Sequence, residues 1–252
     1  MNESLILGQR ALRETLRAPD TLIPTLFIPL FFLVVNVGQA ARIFPSQGTP
    51  FLNGQTYAAF QLPSSLLLAG SFGSAALYLV EEIEGGYFDK LRATPISRAS
   101  IILGRLYAEF VKAMIIAAVM ILIGMLVLGI HIVTGIVGFV LLTVMVATWA
   151  MVYSGFLQLV ALRSRSAAAT QSAGLVFFPL LFLTPNFVPR PLLTRPMEIA
   201  ATLNPVTYIM EATRALIISG FDTAVLTKGF AVLAVALVAT LAVSIRVINR
   251  YD

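Results

Sequence analysis

Apolar and polar positions fall along this chain in long blocks. Six blocks are predicted to cross a bilayer as helices, over residues 22–41, 57–80, 106–130, 135–162, 167–185 and 225–246. About 20 apolar residues at roughly 1.5 Å each cover a hydrocarbon layer of about 30 Å. The first block contains Pro24 and Pro29, which bend a helix or end its first turn. The fourth carries no charge between His131 and Arg163 and exceeds the length of a perpendicular crossing, so it is expected to tilt or to protrude. The fifth follows a tight turn at 163–166 and fades at Pro185-Asn186.

Residues 1–20 have a different period. Leu5, Leu12 and Leu16 share one stripe with Ile6 at its edge, while Glu3, Arg10, Arg13, Glu14 and Arg17 lie mostly elsewhere. This pattern predicts an amphipathic helix at the membrane surface, with an ordinary solvated helix as the plainer alternative. Two connections are long. The first, 81–98, is charged. The second, 186–224, carries Pro189, Pro191 and Pro196, then a helix with Asn204 as N-cap, Pro205 at its first position and a stop at Ser219-Gly220. That helix is short for a span, which predicts a re-entrant or interfacial helix on the outer face, with Glu211 and Arg214 spaced to pair.

Composition agrees with the blocks. Apolar residues make up 58% of the chain and charged residues 12%, about half the charged share of a soluble domain, and mean hydropathy is +0.91. The fold class is therefore all-α integral membrane. Of the 17 lysines and arginines, Arg42, Arg190, Arg195, Arg214 and Lys228 fall on one side of the six-span plan and the others on the side of the N-terminus. That asymmetry predicts cytoplasmic termini and accounts for the net charge of +5 without a nucleic-acid partner. The first twenty residues lack the short apolar core and small-residue site expected of a cleavable signal.

Catalytic chemistry is poorly provided for. The chain has no cysteine and one histidine, so disulfides, thiolate metal sites and histidine-rich metal sites are not expected. Ser154-Gly155 resembles the pair of an intramembrane serine protease, but His131 belongs at the outer boundary of the third span, whereas Ser154 lies about 30 Å below the outer end of the fourth. No GxxxxGK[ST] stretch precedes Lys90 or Lys112, so nucleotide binding has to come from another polypeptide.

The loop EEIEGGYFDKLRATPISR, residues 81–98, is built to dock. Glu81, Glu82 and Glu84 end the second span, and Gly85-Gly86 allows a sharp turn. Tyr87 to Arg92 can form a short helix with Phe88 and Leu91 on one face, and Thr94-Pro95 ends it. Glu81 and Glu82 are expected at a hinge, whereas Glu84 is equally well read as solvated. Arg105, Glu109 and Lys112 are spaced to form an ion-paired base to the third span, with Lys112 snorkelling. Within the spans, Asn36, Gln39, Gln61, Ser64, Ser65, Thr170 and Gln171, with Phe177, Phe178 and Phe182, suggest a cleft between the first, second and fifth spans. Ordinary helix packing is the competing explanation for each of them.

Two motifs carry a family resemblance. One is Glu81, Glu82, Gly86, Leu91, Thr94, Pro95 and Arg98, followed by 101–104. The other is NPVTYIMEATRALI, residues 204–217, with Asn204, Pro205, Tyr208, Glu211 and Arg214. In order and in place, they resemble type-two ATP-binding-cassette exporter permeases of the drug-resistance (daunorubicin-type) branch, over the whole chain. Tyr87-Phe88 departs from the Thr-Leu of many relatives. The resemblance implies a six-helix half-transporter in the cell membrane, with 87–94 as coupling helix. Tyr87, Phe88, Leu91 and Arg92 would contact an ATPase subunit, anchored by Glu81 and Glu82. It also implies a complex of two permeases, identical or homologous, and two ATP-binding subunits that hold ATP and Mg²⁺. The implied cargo is a small hydrophobic or amphipathic drug or natural product. A lipid or lipid-linked glycan, and a non-transporting anchor or assembly factor, are the other readings.

Overall fold

The computed structural model describes residues 3–17, 19–72, 75–92 and 97–249. Among these residues twelve α-helices follow one another: α1 (Glu3–Leu16), α2 (Pro19–Ala40), α3 (Tyr57–Gly70), α4 (Ala75–Glu84), α5 (Tyr87–Arg92), α6 (Arg98–Leu128), α7 (Gly135–Ser164), α8 (Ala167–Gly174), α9 (Phe177–Phe182), α10 (Arg195–Leu203), α11 (Pro205–Ile218) and α12 (Thr223–Asn249). No strand occurs among the described residues. Five stretches of the described residues are long and apolar enough to cross a membrane: Leu22–Ala40, Tyr57–Glu84, Ala99–Leu128, Gly135–Ser164 and Thr223–Asn249.

The expected second span is thus divided between α3 and α4. The expected fifth, at 167–185, is a shorter apolar stretch, Ala167–Phe182, divided between α8 and α9. Pro179 contributes to that second division. It has no N–H for the carbonyl four residues back, which belongs to Leu175 in the turn between the helices. The third span starts earlier than expected, because Ser97 caps α6 by accepting a hydrogen bond from the Ser100 amide at 3.1 Å.

All 14 residues of α3 are buried, so this helix is the axis of the bundle. Around it, α2 and α12 lie at the periphery, with Phe27, Phe31, Val235 and Val238 exposed on surfaces that hydrocarbon would cover. Close approaches fasten the outer helices. A Cβ at Gly8 of α1 would stand 2.7 Å from the Tyr107 ring on α6. A Cβ at Gly229 of α12 would stand 2.4 Å from the Cβ of Ala212 on α11.

The outer connection folds as its sequence predicts at both helix ends. The Asn204 side chain accepts from the Val206 amide at 3.0 Å, and Gly220, at φ +97°, donates to the Ala215 carbonyl at 2.8 Å. α11 itself is deeply buried against α3, α7 and α12 rather than laid on a surface. The bundle therefore has two distinct ends, one holding α1, α5 and the start of α6, the other holding α11 and the turn between α6 and α7.

Candidate functional site

At the α1 end, Glu82 on α4 is the hub of a charged cluster. It pairs with Arg105 on α6 and lies 3.7 Å from Arg10 on α1. Arg10 also bonds Glu14 at 2.9 Å, donates to the Tyr87 hydroxyl on α5, and sits 4.5 Å from the centre of that ring. Partial burial disfavours the Arg10 charge, but Glu14, Tyr87 and Glu82 outweigh it and raise the guanidinium pKa above its ordinary value. Four helices are joined here through polar side chains. Gly86, at φ +69°, supplies the turn that brings α5 back to them.

The remaining residues of the loop are distributed differently. Phe88 is buried at 1% exposure, whereas Glu81 and Glu84 are exposed. Leu91 and Arg92 belong to α5, and Thr94 and Pro95 lie outside the described residues. Of the two expected anchoring carboxylates, Glu82 sits in the cluster and Glu81 is exposed.

Further into the bundle, α3 stops at Gly70 and α4 starts at Ala75. Glu109 on α6 accepts from the Ala75 amide at 3.0 Å, and Lys112 donates to the Phe72 carbonyl at 3.4 Å. The two side chains pair with each other at 2.7 Å, at 2% and 3% exposure. Lys112 therefore does not snorkel to a surface, and Arg105 pairs with Glu82 rather than with Glu109. On α7, Trp149 donates to Ser71 Oγ at 2.9 Å, and the Tyr153 hydroxyl donates to the Gly174 carbonyl at 2.7 Å and accepts from the Phe177 amide at 3.2 Å. One helix thus secures both interruptions, the one after α3 and the one between α8 and α9.

Between those divisions lies a cavity of about 380 Å³. Pro24 and Thr25 of α2, Ser71 and Phe72 after α3, and Thr170, Gln171, Phe177 and Phe178 of α8 and α9 form much of its wall, and none of the described lining residues is charged. Unwound backbone at membrane depth is tolerated where it is buried in protein or lines a cavity. A family model described as ABC-2 type transporter matches residues 3–218.

The chain belongs to the ABC-2 type transporter family.

This family forms the transmembrane subunits of ABC transporters and is not itself catalytic, so the chain is the permease of an ABC exporter, a multi-pass membrane protein that works with an ABC ATP-binding subunit. No curated protein matches the chain. In this ABC-2 permease, Thr170, Gln171, Phe177 and Phe178 of the expected cleft line the cavity. The other expected cleft residues are elsewhere. Gln61 is buried and donates to the Tyr57 hydroxyl at 2.8 Å and the Asn186 carbonyl at 3.1 Å. Ser64 meets the sulfur of Met210 at 3.7 Å. Asn36 and Gln39 sit towards the far end of α2, and Phe182 is 43% exposed.

At the α11 end, Glu211 does not pair with Arg214. Arg190 takes both carboxylate oxygens, at 3.1 and 2.6 Å, and lies over the Tyr208 ring at 5.2 Å. Arg214 instead donates to the Phe60 and Pro185 carbonyls at 3.2 and 3.1 Å and stacks 3.6 Å from the Phe60 ring centre. Ser154 is buried and accepts from Gln158 at 3.3 Å, while His131 is exposed beside Gln55 in the α6–α7 turn. They form no dyad. The residues missed in the sequence are Arg190, Trp149 and Tyr153. The small-residue run at 69–76 was the available signal for the division of the second span.

Proposed function

We propose that this permease exports a small, uncharged, hydrophobic or amphipathic compound, in the manner of the drug-resistance branch, across the cell membrane. The cavity between the divided spans carries this reading. Its volume of about 380 Å³ falls within the range of pockets for drug-sized ligands. Its wall combines apolar and aromatic surface with the hydroxyls of Thr25, Ser71 and Thr170 and the amide of Gln171. A glycan-linked cargo is less well served, since the single tryptophan, Trp149, bonds Ser71 and is not part of that wall.

In this reading Ala167–Phe182, continued to residue 185, is a sixth and shorter span, both termini are cytoplasmic, and α1 lies along the inner surface. Residues 87–94 dock on the ATP-binding subunit, which holds ATP and Mg²⁺, and two permease copies or homologues complete the transporter. Movement of α5 reaches α4 and α6 through Arg10, Glu82 and Arg105. A cargo contributes to coupling only through its different affinity for the two states of the cavity.

The test is to purify the permease with its ATP-binding subunit, reconstitute both in vesicles, and follow a neutral lipophilic dye. Movement of the dye that depends on ATP, and that a bulky Phe178→Trp or Gln171→Trp substitution alters, is the expected result. Movement of a lipid-linked glycan with no movement of any small apolar compound overturns the proposed cargo.

A further inference from the structure

A continuous helix pairs each carbonyl with the amide four residues on. Where α3 stops and α4 starts, that pairing is lost, and carbonyls and amides at the two ends need other partners. In hydrocarbon an unpaired backbone group is costly. Two adjacent side chains on α6 answer this need on both sides. The Glu109 carboxylate takes the Ala75 amide at the start of α4, and the Lys112 ammonium takes the Phe72 carbonyl after the end of α3.

The charges are also placed with the correct sign. An anion is favourable at the N-terminus of a helix and a cation at its C-terminus. Glu109 meets α4 at its first described residue, and Lys112 meets the chain just beyond the last turn of α3. Their mutual contact at 2.7 Å balances two charges that are almost wholly buried. Ser71, Phe72 and Leu77, on either side of the division, all line the cavity.

We propose that Glu109 and Lys112 are positioning residues for the cavity: together they cap both sides of the division in the second span and so hold Ser71, Phe72 and Leu77 in its wall. The functional importance of this arrangement rests on reading the cavity as the transport site; the structural claim does not. Without the caps, α3 and α4 gain by joining into one helix. Each residue rewound turns α4 by about 100° relative to α3, which carries Leu77 out of the wall.

The chain has no native cysteine, so an introduced thiol is unique. The experiment measures N-ethylmaleimide alkylation, in native membranes, of three single-cysteine forms: Leu77→Cys and Gln171→Cys in the cavity, and Ile43→Cys on the exposed α2–α3 connection. Each is combined with E109Q/K112Q, which keeps an acceptor and a donor but no charge, and with E109L/K112M, which keeps neither. The expected result is that the glutamine pair leaves all three rates within about twofold, whereas the apolar pair slows Leu77→Cys about fivefold or more and spares the other two. Unchanged Leu77→Cys reactivity in E109L/K112M overturns the proposal. An equal loss in E109Q/K112Q also overturns it, because charge rather than capping would then be responsible. Parallel changes at all three positions would make the pair a general stabiliser and reject the positioning role. No ATP or cargo is involved, so failure here is distinct from failure of the transport reading.

Discussion

The Arg10 guanidinium stands 4.5 Å from the centre of the Tyr87 ring and donates to its hydroxyl, which joins the N-terminal helix to the short helix after the second span. Both residues are substantially exposed, so this contact adds little to stability. Its value is geometric. Substituting Arg10→Ala is expected to leave thermal stability nearly unchanged while lowering transport-coupled ATP hydrolysis about three- to tenfold. Tyr87→Phe, which keeps the ring under the cation, should lose less. Parallel assays of hydrolysis and dye movement with the reconstituted complex check both variants.

Glu82 and Arg105 differ from that contact because they are largely buried, at 16% and 8% side-chain exposure. Removing Glu82 alone leaves a buried cation facing Arg10, and such losses run to about 3–5 kcal/mol. Glu82→Ala is therefore expected to lower the melting temperature in detergent more than the double variant E82L/R105M, which removes both charges. Thermal unfolding of the two variants side by side decides this.

At the other end, the two-pronged bond from Arg190 to Glu211 ties the proline-rich connection to α11. Arg190→Lys keeps the charge but not the fork and is expected to lose about 1–2 kcal/mol of local stability. Hydrogen exchange should quicken across 187–203 and remain slow in α6 and α7.

Gly229 has no room for a side chain against Ala212 and the Tyr208 carbonyl, at 2.4 and 2.9 Å from a Cβ placed there. Gly229→Leu is expected to cost about 1–3 kcal/mol through overpacking between α11 and α12. The Tyr208 carbonyl is backbone and cannot be trimmed away. Ala212→Gly should therefore restore only part of the loss caused by Gly229→Ala, as measured by thermal unfolding.

Much of this architecture is written in local pattern. Block hydrophobicity marks most of the spans, Asn204-Pro205 and Ser219-Gly220 mark the ends of α11, and the 81–98 loop shows its cluster of charges. What was not legible depends on contacts distant in sequence. Glu211 and Arg214 have ideal spacing to pair, yet the long connection brings Arg190 to Glu211 and α3 brings the Phe60 carbonyl to Arg214. Glu109 and Lys112 were recognisable as a pair, but their role requires knowing that α3 and α4 are interrupted beside them. The cavity likewise depends on two interruptions meeting, so Gln171 and Phe178 reach it while Gln61 and Ser64 are drawn into packing around α3.

The loop after the second span is the proposed docking site of the ATP-binding subunit, and crosslinking tests this most directly. A single cysteine replaces Lys90, which is exposed on α5, or Ile43 as a control at the opposite end of the bundle. A short bismaleimide is then applied to the intact complex, with cysteines scanned over the ATP-binding subunit. An efficient crosslink from Lys90→Cys to that subunit, altered by ATP, is expected, and none from Ile43→Cys. An intact complex with no crosslink from Lys90→Cys at any scanned position would contradict it.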